Sequence, residues 1–121
     1  MASLSVPAAT AFVEKSWPSI QTTLEDCIRV PSQSPQFDPE HLTNGHAMKV
    51  VELLTAWVAE QKMEGLTLEV ISDPGRTPLI FIEVAATGGA GGTVLLYGHL
   101  DKQPPMTEAW SEGLHPYVPV V

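Results

Sequence analysis

A histidine and an aspartate two residues apart, His99 and Asp101, close the run Leu95-Leu96-Tyr97-Gly98-His99-Leu100-Asp101. On an extended chain, residues i and i+2 point the same way, so imidazole and carboxylate are presented together. A metal-ligating imidazole commonly gives its second ring N–H to a carboxylate, which fixes the tautomer and raises the basicity of the ligating nitrogen. His99 as ligand and Asp101 as its orienting acid meet that need. From spacing alone, a structural pair, in which a strand-end histidine simply bonds a neighbouring acid, is the commoner arrangement. If the preceding apolar run is a strand of an open α/β sheet, its carboxyl end opens on the crevice where such sheets bind ligands.

The remaining candidates read as scaffold. His41 and His46 flank the start of a predicted helix, five residues apart, which is not the i, i+4 spacing that puts two ligands on one helical face. Both are expected to be solvated. His115 lies in an irregular tail with no acid or thiol in a ligand pattern, and takes no role. Gly88-Gly89-Ala90-Gly91-Gly92-Thr93 is followed by neither a lysine nor a helix, so it reads as a turn between strands and not a phosphate loop. Glu14, Glu25, Asp26, Glu52, Glu60, Glu64 and Glu69 are spread over solvated faces. Cys27 is the single cysteine, so no intramolecular disulfide is possible, and its place in an apolar stripe predicts a buried, inert thiol.

The elements that must position His99 follow from periodicity. Ile20, Leu24, Cys27 and Ile28 recur at helical spacing within a helical region ending at Val30. Pro18 inside that region should start a new segment or kink a longer one. Pro31, Pro35 and Pro39 make residues 31–43 a loop. Asn44 is a good N-cap for a second helix with the stripe Ala47, Val50, Val51, Leu54, Trp57 and Val58, stopped near Gly65. Three β-rich runs follow, at 66–71, 79–84 and 93–97. The first alternates as a half-exposed strand does, and Val94-Leu95-Leu96-Tyr97 is apolar throughout, as in a strand covered on both faces. The expected class is α/β, a mixed sheet flanked by helices. Residues 102–121 carry four prolines and no period, and end on an apolar sequence that normally needs something to pack against. Trp57 is expected in the core, and Trp110 to pack on structure beyond these residues rather than to cover the site. The whole is expected to be an N-terminal piece of a longer protein.

Composition narrows the partners. Six Lys and Arg against 14 Asp and Glu give a net charge of −8, which argues against nucleic acid, since affinity for phosphates comes from basic side chains. The longest apolar runs are far too short to span a bilayer, and no membrane partner is expected. Residues 1–7 lack the basic and apolar regions of a secretory signal, so a cytoplasmic location is expected.

The block from Leu95 to Pro105, followed by Trp110 and Gly113-Leu114, closely resembles the first metal-site motif of the M20 metallopeptidases. The run Ile28-Arg29-Val30-Pro31-Ser32-Gln33-Ser34-Pro35 is similar to that family's N-terminal helix and loop, so the resemblance covers most of the chain. Gln103-Pro104 after the aspartate looks like the carnosinase and cysteinylglycine dipeptidase branch, although Lys102 stands where several of those enzymes have an apolar residue. The resemblance implies that His99 binds one of two zinc ions, with cobalt or manganese as alternatives, and that Asp101 is the active-site acid that orients it. It further implies hydrolysis of a peptide or N-acyl amino acid amide bond, and a possible homodimer formed through a lid domain absent from these residues. The bridging aspartate, the glutamate pair and the later histidine of that family have no counterpart here, so the 121 residues alone are expected to be inactive. The rival expectation is a non-catalytic α/β binding or interaction module in which His99 and Asp101 form a structural pair. A nucleotide-binding domain is disfavoured, because neither phosphate-loop pattern follows any predicted strand.

Overall fold

A computed structural model describes residues 5–87 and 91–121. The reading of residues 1–7 as lacking a signal falls largely outside them, as does the centre of the expected Gly88–Gly92 turn. Among the described residues the chain forms two helices, a two-stranded antiparallel sheet and one short 3-10 turn.

Helix α1 runs Val6–Arg29. Ser5 caps it, its Oγ accepting from the Ala8 amide at 3.4 Å, and Pro7 sits in the first turn, where a missing N–H costs nothing. Pro18 lies inside one continuous helix. It leaves the Glu14 carbonyl without its usual donor, and no new segment begins there. Helix α2 runs His46–Glu60. The expected cap, Asn44, acts from one position further back: its Oδ1 accepts from the His46 amide at 3.0 Å, and its Nδ2 donates to Asp38 Oδ2 at 2.6 Å. Gly45 takes the cap position itself at φ +76°, a left-handed conformation that a side chain would strain.

Helix α1 packs against α2, and the Trp57 indole N–H reaches Ser19 Oγ at 2.9 Å. Val50 and Val51, both 2% exposed, and Cys27 form the buried core, while Trp57 is half-buried. Helix α2 ends before Gly65, which instead turns the chain into the sheet at φ +76°; a Cβ there would lie 3.3 Å from the Ala85 side chain.

Strand β1, Leu66–Ile71, pairs antiparallel with β2, Leu79–Val84, in the register Leu66↔Val84 to Ile71↔Leu79. The expected alternation holds in β1, where Leu66, Leu68 and Val70 are the better covered residues. The sheet is not mixed. The third expected strand is unpaired, and Val94, Leu95, Leu96 and Tyr97 are 85–92% exposed. A strand covered on both faces needs a layer on each side, and here the helices pack principally on each other, as do the two strands. The run therefore has apolar composition without the layers that composition requires.

The tail carries the 3-10 turn Thr107–Ala109 and an isolated bridge between His115 and Val118. Trp110 stays half exposed, with its indole N–H on the Pro105 carbonyl at 2.6 Å.

Candidate functional site

An open cleft of about 630 Å3 lies between α2 and β2, with residues 97–101 along it. Leu54 and Trp57 wall it from one side and Ile80 and Ile82 from the other, and the polar groups converging on it include His41, His99 and Asp101. A mostly apolar recess with a few polar groups is the usual form of a small-ligand site. The groove between α1 and α2, about 700 Å3, is flanked by Asp26, Lys49, Glu52 and Glu60 but by no histidine or cysteine. Of the two, only the first gathers histidines.

The two sequence-singled residues meet. His99 Nδ1 is 3.0 Å from Asp101 Oδ1 and 2.9 Å from the Asp101 carbonyl oxygen. An ionised carboxylate and a carbonyl only accept, so Nδ1 holds the proton and Nε2 keeps its lone pair. That is the tautomer a ligating imidazole needs. The His99 side chain is 63% exposed and that of Asp101 34%.

His41, read from sequence as a solvated residue, is half-buried on the same cleft. Its Nδ1 lies 2.8 Å from the Asp38 carbonyl oxygen, so it too carries its proton on Nδ1. Spacing along the chain could not place it there, because the loop 31–43 folds back through Asp38 and Asn44. His46 buries an Nδ1 that has no hydrogen-bond partner, and does not line the cleft. His115 lies in the tail bridge, away from the cleft.

What ties His99 to the scaffold is Lys102. Its amide donates to the Ser32 carbonyl and its carbonyl accepts from Ser34, each at 2.8 Å, in a parallel bridge at Gln33. Its Nζ donates to the Val30 carbonyl at 2.8 Å and to Ser32 Oγ at 3.0 Å. Val30 is the C-cap of α1, where a cation meets the negative end of the helix dipole. Burial pulls the Lys102 ammonium below the ordinary lysine range, an effect the nearby Cys27 opposes. Burial likewise pushes the Cys27 thiol up, with Lys102 opposing.

The donor set can be weighed against a metal. His99 offers one free imidazole nitrogen with its orienting acid in place. Zinc takes three or four protein ligands, and among the described residues no group of three or more His, Cys, Asp or Glu side chains could hold an ion. The pair fits as one ligand of a site completed by other residues. Comparison with known proteins found no matching family model and no matching curated protein. No described helix is long and apolar enough to cross a membrane.

Proposed function

We propose that these residues belong to an M20-like zinc peptidase hydrolysing a peptide or N-acyl amino acid amide bond, to which they contribute the first metal ligand. The observation that carries the reading is the His99–Asp101 pair, with Nδ1 held by the acid and Nε2 free beside an apolar cleft. Exposure supports it further, since a hydrogen-bonded pair open to solvent stabilises a fold by little. Asp101 would hold the ring orientation and raise ligand basicity, and His99 Nε2 would take the ion. When bound, zinc supplies a water acidic enough to attack near neutral pH. The remaining ligands and the general base come from outside these residues, as does any lid domain through which the enzyme dimerises. On the same reading the substrate is a small peptide or N-acyl amino acid, and the enzyme works in the cytoplasm.

The test is a zinc titration followed at the His99 ring by NMR, beside a dipeptide hydrolysis assay of the 121-residue chain. Zinc shifts at His99 that vanish in His99→Ala, without turnover, are expected. Turnover abolished by His99→Ala would contradict the need for outside ligands. A ring indifferent to zinc would leave the pair structural, and the chain a binding module.

A further inference from the structure

The segment that carries His99 has little to hold it. Residues 93–97 form no strand, and four of them are almost fully exposed. The His99 ring bonds only within its own segment, to Asp101. Among the described residues, no hydrogen bond ties residues 91–101 to any other part of the chain. The first anchor is Lys102. Two of its four hydrogen bonds come from the backbone and two from the ammonium, which reaches 70 and 72 residues back to Ser32 and Val30.

The ammonium finds no carboxylate within 4.0 Å among the described residues. Its partners are the C-cap carbonyl of α1 and a hydroxyl whose residue, Ser32, is 2% exposed. Charge-assisted bonds of this kind are about twice as strong as neutral ones, and a helix C-terminus is a favourable place for a cation. A lysine at a site where only two donor bonds are taken up, both directed at fixed scaffold atoms, behaves as a clasp. Lys102 does not line the cleft along which His99 and Asp101 lie. It can brace their segment without entering the cleft.

We infer that Lys102 is a positioning residue: by clasping the C-terminal turn of α1 and Ser32, it holds the Gly98–Asp101 segment in the geometry that keeps the His99 proton on Nδ1 against Asp101. That this tautomer serves a metal rests on the function proposed above; that Lys102 maintains it does not.

The experiment measures the His99 ring nitrogens by 15N NMR in the 121-residue chain above the pH where the ring is charged, in the wild type, Lys102→Met, Lys102→Arg and Ser32→Ala, with circular dichroism confirming helix content. The wild type should show the Nδ1–H tautomer. Lys102→Met should move the ring towards the Nε2–H form favoured by free histidine, Ser32→Ala should move it part of the way, and Lys102→Arg, which keeps charge and donors, should restore it. Zinc ion alone, added to each, should bind Lys102→Met on the order of tenfold more weakly than wild type. A folded Lys102→Met whose His99 tautomer matches the wild type overturns the inference, as does Lys102→Arg failing as fully as Lys102→Met. If Lys102→Met loses its helices, Ser32→Ala and Lys102→Arg decide. Wild-type protein that keeps the Nδ1–H tautomer and ignores zinc sinks the metal reading, while the tautomer series still decides the role of Lys102.

Discussion

Cys27 and Lys102 are neighbours of opposite temperament. The thiol is pushed up by burial, so it stays protonated where an unfolded thiol ionises. The stability this adds is complete below the ordinary thiol pKa and falls as pH rises through that value towards the native one. The ammonium, pulled down by burial, acts with the opposite sign: its folded form sheds a proton first, so stability rises with pH across its window. The two slopes oppose each other in an alkaline melt, and alkylation reads the thiol alone. Iodoacetamide should modify Cys27 at least about tenfold more slowly in native protein than in urea at pH 8.5, since the thiolate is the nucleophile. At the site itself, Asp101→Asn keeps an acceptor for His99 Nδ1 but removes the charge. The zinc-induced shift of the His99 ring, followed by NMR, should need about 10- to 100-fold more zinc to appear. The residue pair was legible in the sequence because i, i+2 spacing needs only an extended backbone. His41 was not, because its place on the cleft depends on a loop whose path is set by the Asp38–Asn44 side-chain bond.

The strength of an element's sequence signal tracks how local its physics is. Helix α2 could be read nearly to its ends, because an apolar stripe and an Asx residue act within a turn or two of the chain. Gly45 displaced the cap by one position, since a residue at φ +76° can precede the helix while Asn44 reaches over it to the His46 amide. Removing that reach should tell: Asn44→Ala should cost about 1 kcal/mol in urea unfolding, the usual worth of a cap. The stripe should be equally plain. Val50→Ala should cost about 2 kcal/mol, since it deletes buried methyl groups and leaves a void; Met48→Ala, on the exposed side of α2, should stay within about 0.5 kcal/mol. The β-rich run 93–97 failed as a strand for the converse reason. A covered strand is a statement about other layers, and Val94 to Tyr97 carry the composition without the company.

At the scale of the molecule the apolar surface is distributed unusually. Val6, Val13, Trp17 and Leu24 are all exposed and fall on one line along α1 at i, i+7, i+11 and i+18, while Ser19 and Thr22 on a different side line the groove towards α2. With Val94 to Tyr97 this leaves two sets of exposed apolar side chains in water, of the kind that binds apolar molecules. The native protein should therefore raise the fluorescence of a hydrophobic dye such as ANS. Leu95→Lys should reduce that signal while shifting stability by no more than about 0.5 kcal/mol; a loss of several kcal/mol would mean that the run is covered. The clasp at Lys102 has a consequence of another kind. It joins positions 70 and 72 residues apart, and closing a loop of that length costs on the order of 4 kcal/mol of chain entropy. Helices and hairpin can form from near neighbours, whereas His99 reaches its place only after Lys102 has met residues 30–34. In hydrogen exchange, the amides of Ser34 and Lys102 should open well before those of α2, so that the site is assembled last in folding and is the first structure lost as the protein breathes.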